Sequence, residues 1–121
     1  LANLYAGLCY AQLGKWTEAA KYLEEYDAQD DKMISPAAEG ALGNAYAHLN
    51  QLDKAVNHLK NAAKKADNNS LSPTFLIQAG EILESQGKTA EALELYKEVK
   101  TKYFYSMQYQ TIDKYIERAS K

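Results

Sequence analysis

Apolar residues in "LGNAYAHLNQLDKA", residues 42–55, recur at three- and four-residue intervals, so that Leu42, Ala45, Tyr46 and Leu49 share one helical face. Gly43 lies inside that pattern, although glycine in a helix interior costs about 1 kcal/mol relative to alanine. Three, seven, twelve and sixteen residues after it stand Tyr46, Asn50, Ala55 and Leu59. The same offsets from Gly7 reach Tyr10, Gly14, Ala19 and Leu23, and from Gly80 they reach Leu83, Gly87, Ala92 and Tyr96. The three glycines are 36 and 37 residues apart, a period typical of stacked helical repeats.

The punctuation repeats with the same period. Ser35-Pro36 and Ser72-Pro73 each pair a preferred N-cap with a proline suited to the first helical position. Leu71 and Leu76 are placed to form a hydrophobic staple across the second of these starts. Gly14, Asn50 and Gly87 each follow an apolar-periodic run, where a left-handed residue ends a helix. The pattern predicts first helices near 2–13, 36–49 and 73–86, and second helices near 17–28, 53–66 and 89–102. A seventh helix is expected after Ser106, with an apolar stripe of Tyr109, Ile112, Tyr115 or Ile116, and Ala119. Its glycine-equivalent position holds Lys114, so it reads as a cap covering the last apolar face of an array. No strand-type alternation is present.

This pattern resembles the tetratricopeptide repeat (TPR). The resemblance rests on Gly7/Tyr10 and Gly43/Tyr46, on Ala19, Ala55 and Ala92, and on Trp16 and Leu52 after the turns. Thr89 and Leu83 depart from it in the third unit. It implies an all-α fold, a right-handed α-solenoid of three helix-turn-helix units plus a C-terminal capping helix. The expected division is a single domain over 1–121, with repeats at 1–34, 35–71 and 72–105 and the cap at 106–121. Gly and Ala are expected to face each other where paired helices cross, because a larger side chain there would cost about 1–3 kcal/mol of overpacking.

The resemblance also implies a function: a protein–protein interaction scaffold, not an enzyme, holding a partner segment in a concave groove lined by the first helices. The groove positions it carries over are Leu1, Leu4 and Leu8, then Gly40, Asn44 and His48, then Ile77, Glu81 and Glu84. All fourteen Lys and Arg lie outside the three first helices. The family's carboxylate-clamping mode, which uses Lys, Arg and Asn there, is therefore not carried over; only Asn44 stands at such a position. The surface runs from apolar to acidic and calls for a protein or peptide with an apolar anchor and basic residues. The alternative is a structural self-association module. "LANLYAGLCYAQL" is apolar nearly all round, so an upstream segment or a second copy is expected to cover it, giving a homo-oligomer in the latter case. Tyr103, Phe104, Tyr105, Tyr109 and Tyr115 either seal the end of the solenoid or form a binding hot spot.

Composition and charge narrow the picture by exclusion. The chain has 121 residues, 46% hydrophobic and 25% charged, enough for one domain with a real core. A formal net charge of −2 argues against a nucleic-acid partner. The single cysteine, Cys9, permits no intrachain disulfide and no thiolate metal cage. Aligned with Ala45 and Ile82, it is expected to be a small buried residue. His48 and His58 have no cysteine or carboxylate at metal-ligand spacing and are expected to be exposed. Glu81 and Glu84, one helical turn apart, lack a supporting acid, base or metal cluster and read as a solvated face. Hence no catalytic residue, cofactor or metal is expected.

No apolar run reaches the roughly 18 residues of a membrane span, so no direct insertion of this segment is expected. The chain opens without methionine and is expected to be a fragment of a longer protein. "LGNAYAHLNQLDKAVNHLKNAAKKADN" is similar to segments of bacterial repeat proteins. Many of those are tied to the cell envelope by an upstream helix, which points to the periplasmic side, with the cytoplasm as the alternative.

Overall fold

The computed structural model describes residues 2–29, 35–103, 109 and 111–120. Among them are seven helices and no strand: α1 (Ala2–Gln12), α2 (Trp16–Gln29), α3 (Pro36–His48), α4 (Leu52–Ala66), α5 (Ser72–Ser85), α6 (Thr89–Lys102) and α7 (Ile112–Ala119). The chain forms two compact units, Leu1–Ala62 and Ala63–Lys121, with the boundary inside α4. In the first unit α1 packs along α2 and α2 along α3; in the second, α5 packs along α6 and α6 along α7.

The three first-to-second-helix turns share one hydrogen-bond pattern. Gly14, Asn50 and Gly87 have φ of +76°, +61° and +78°. The N–H of the residue after each reaches back to the carbonyl of Tyr10, Tyr46 and Leu83 respectively, at 2.9 Å in every case. The N–H groups of Gly14, Asn50 and Gly87 themselves bond to Ala11, Ala47 and Glu84 at 3.0–3.1 Å. This is the paired Schellman arrangement, which satisfies carbonyls left over at a helix end.

The interior glycines sit where helices cross. A Cβ on Gly7 would lie 2.6 Å from Leu23 Cγ, one on Gly43 2.9 Å from Leu59 Cγ, and one on Gly80 2.5 Å from Tyr96 Cε1. The partner is thus the residue sixteen positions later each time. Ala19, Ala55 and Ala92 are fully buried, but only the Ala55 carbonyl, 3.2 Å from the Gly43 site, is among the nearest atoms. The close approach is glycine against a large side chain rather than glycine against alanine. Leu23, Leu42 and Leu59 are fully buried in the first unit, and Tyr96, Val99 and Ile112 in the second.

Three local features, at Ser72, Leu71 and Tyr109, differ from the sequence pattern. Ser35 caps α3 as expected, accepting from the Ala38 N–H at 3.2 Å. Ser72 does not cap α5: it is the first helical residue and fully buried, and its hydroxyl donates to the Ala63 carbonyl at 2.7 Å. Asn68 does the local work instead, its side-chain oxygen accepting from Ser70 and Leu71 N–H at 2.9 and 2.8 Å. Leu71, the expected staple partner of the buried Leu76, is exposed. The expected start of the last helix after Ser106 lies outside the described residues. Tyr109 precedes α7 and is exposed, so it is not part of the buried stripe, which is formed by Ile112 and Ala119 with Tyr115 and Ile116 half-buried.

Candidate functional site

In the first unit, Leu4 and Leu8 on α1 are half-buried, and so is Asn44 on α3. Gly40 is buried. His48 is exposed at the end of α3 and stacks on Trp16, ring centroids 4.0 Å apart and planes within 5°. Leu1 lies outside the described residues. The outward side of α1 carries Tyr5 and Cys9, and Leu13 follows in the turn; all three are exposed, Tyr5 at 64% and Leu13 at 70%. Cys9 is therefore not the buried residue expected. Its counterpart Ala45 is buried within the packed unit, whereas no described element covers this side of α1.

His58 also departs from expectation. It is half-buried, with Nδ1 3.4 Å from Glu39 Oε1 and Nε2 3.6 Å from Glu24 Oε1. Its ring stacks on Tyr46 at 5.5 Å, and the Tyr46 hydroxyl donates to Glu24 Oε1 at 2.6 Å. Lys54 Nζ lies 5.3 Å from the Tyr46 ring centroid. Burial, and then the Glu24 hydrogen bond and charge, push the Tyr46 phenol above its ordinary range. It stays a hydrogen-bond donor, and the cluster ties α2, α3 and α4 together. Paired carboxylates 34 and 19 residues away in sequence have no spacing that would reveal them.

In the second unit, Ile77 on α5 is buried and Glu81 is exposed. Glu84 is not the solvated residue expected. Its side chain is 16% exposed and receives Arg118 in a two-pronged ion pair, Nη2 to Oε1 at 2.6 Å and Nε to Oε2 at 3.0 Å. The Tyr96 hydroxyl donates to the same carboxylate at 2.5 Å. The Arg118 hydrogen bonds hold the Glu84 carboxyl below its ordinary value, against a smaller upward push from burial. Arg118 is raised in turn by Glu84, and Tyr96 is raised first by burial. The Arg118 Cζ lies 5.1 Å from the Tyr115 ring centroid, and Tyr115 packs 5.3 Å from Tyr96.

An open cleft of about 370 Å³ adjoins this cluster, lined by Glu81, Thr111, Lys114, Tyr115 and Arg118. The first-helix face of this unit is therefore not without cations: α7 brings two beside α5. Among the C-terminal aromatics, Tyr103 is buried and donates to Asp67 Oδ1 at 2.9 Å, Tyr115 is half-buried and Tyr109 exposed. Phe104 and Tyr105 lie outside the described residues. Among the described residues no group of three or more His, Cys, Asp or Glu could hold a metal ion, and no helix is long and apolar enough to cross a membrane.

Tyr96 and Arg118 were not singled out by the sequence pattern as functional. A signal for the first was present: repeat-equivalent positions to Glu84 and Tyr96 hold Ala11 and Leu23, and Ala47 and Leu59. Only the third helical repeat replaces a small apolar residue and a leucine with a carboxylate and a phenol.

Helical hairpins with a glycine at each crossing and a left-handed residue at each turn define a tetratricopeptide-type helical repeat, the fold of a non-enzymatic protein-interaction scaffold. The chain belongs to the family described as T7SS, ESX-1 secretion system protein EccA1, N-terminal domain, whose model matches residues 1–111. A solved structure with a similar fold is the crystal structure of MamA, at TM-score 0.72 and 18% identity, covering 98% of this chain and 74% of that one. No curated protein matches the chain.

Proposed function

We propose that the chain binds a segment of a partner protein on the faces of its first helices, as an N-terminal domain of an EccA1-type protein of a type VII secretion system. The observation that carries this reading is the chemistry accessible on those helices. Leu4 and Leu8 offer apolar surface, Asn44 and His48 polar groups, and Glu81 a carboxylate beside an open cleft. Gly40 and Ile77 are buried, so they shape these faces rather than touch a ligand. A segment with an apolar anchor and a basic residue complements such a set.

The test is selection of peptides from a displayed random library on the intact chain, followed by binding to variants. Asn44→Arg should weaken a peptide bound to the first unit and Glu81→Lys one bound to the second, each by at least about ten-fold, the usual effect of a like-charge or steric mismatch at a contact. Peptides that tolerate both changes but lose affinity on alteration of exposed second-helix residues such as Lys60 or Lys97 would contradict the reading. The chain's single tryptophan supplies a second readout, because a ligand over His48 disturbs its stack on Trp16.

Self-association is the second reading, favoured by one observation: the exposed Tyr5 and Cys9 on α1 with Leu13 just after it. Sedimentation should then show a dimer that Tyr5→Ser with Leu13→Ser dissociates; a strict monomer at high concentration would remove this alternative.

A further inference from the structure

We infer that the Glu84–Tyr96 pair is a recognition site for arginine, that α7 fills it in cis through Arg118, and that an arginine-bearing helix of a partner competes with α7 for it. The inference rests on the reading that α5 presents a partner-binding face. The seat is built before the guanidinium arrives. Gly80 lets the Tyr96 ring lie directly against α5, where a Cβ would be 2.5 Å from the ring. That places the phenol hydroxyl 2.5 Å from Glu84, one turn further along the same helix.

Packing does not demand this pair. The first two helical repeats meet the same packing need with Ala11 and Leu23, and with Ala47 and Leu59. A half-buried carboxylate and a buried phenol cost desolvation that the alanine and leucine avoid. A planar cation that takes both carboxylate oxygens offsets that cost with direction as well as charge.

The occupant is held less firmly than the seat. Arg118 is 55% exposed against 16% for Glu84. Eight residues form α7, and only Ile112 and Ala119 of them are buried. A helix that short has no independent stability, so its docking is a low-cost opening relative to the rest of the unit. A further ion pair of α7, Lys100 to Asp113 at 2.7 Å, is exposed and weak. What α7 presents defines what a competitor must carry: an arginine, an aromatic ring three residues before it to pack against Tyr96 and flank the guanidinium, and an apolar residue one turn earlier.

The experiment uses a fluorescent synthetic peptide with the sequence of residues 111–120, titrated against the full-length chain. Arg118→Ala, which vacates the seat, should bind it at least about ten-fold more tightly than the unaltered chain, the range of a charge-assisted bidentate contact. Adding Glu84→Gln to Arg118→Ala should remove that gain. Tyr96→Phe, which keeps the packing, should reduce it, so the result does not hinge on a variant that unfolds. A peptide with glutamine in place of its arginine should not bind.

Equal affinity of the unaltered and Arg118→Ala chains would overturn the proposal. So would tight binding that survives both Glu84→Gln and Tyr96→Phe. Either failure leaves the binding of library-selected peptides at Asn44 untouched, and loss of that binding leaves this result untouched, so the two readings fail separately.

Discussion

Gly43 has little freedom to change where α3 crosses α4. An added methyl meets Leu59 Cγ at 2.9 Å and the Ala55 carbonyl at 3.2 Å, and the backbone atom cannot rotate away. Gly43→Ala should lower unfolding stability by about 1–3 kcal/mol despite the better helix propensity of alanine, measured by urea denaturation. Glu84 gives a pH signature. Arg118 holds its folded-state carboxyl below the ordinary 4.5. A depressed carboxyl contributes stability that is fully present above the unfolded value and is lost as pH falls through the lower folded one. The chain should therefore lose stability below about pH 4.5, and Glu84→Gln should start lower at neutral pH and flatten that part of the profile. An unchanged acid profile in the variant would remove the ion pair from the list of stabilising contacts. The glycines were legible in the sequence because their role repeats at fixed spacing. The Glu84–Arg118 pair was not, because 34 residues separate its members and only the folding of α7 onto its unit joins them. His58 was hidden for the same reason. Ser72 was misleading because its hydroxyl has two possible uses, a cap or a tertiary bond, and the Ala63 carbonyl wins.

At the scale of elements, the six paired helices follow from periodic apolar positions ended by Gly14, Asn50 and Gly87, and their observed bounds lie within a residue or so of the pattern. The last helix was harder to place. Five aromatics in a short run supply apolar side chains without a clear period, and Tyr109, assigned to the buried stripe, precedes α7 and is exposed. What fixes α7 is Ile112, fully buried, together with Arg118 at its other end. Ile112→Ala should cost about 2–5 kcal/mol in the stability of this docking, read as faster amide exchange across 112–119 with α5 and α6 still protected. Arg118→Ala should accelerate exchange in the same stretch by a smaller factor. If both variants leave exchange in α7 as it was, other contacts hold the helix.

For the molecule as a whole, the tetratricopeptide-type fold and membership of the EccA1 N-terminal family make protein interaction its class of work. The accessible first-helix side chains make the location of that work a testable matter. The most direct measurement is an NMR shift map of a library-selected peptide on the intact chain. The expected result is that amide shifts for a peptide bound to the first unit concentrate at Leu4, Leu8, Asn44 and His48, with a change in Trp16 emission at the same ligand concentration. Shifts confined to the exposed faces of α2, α4 and α6, with Trp16 unmoved, would contradict the account.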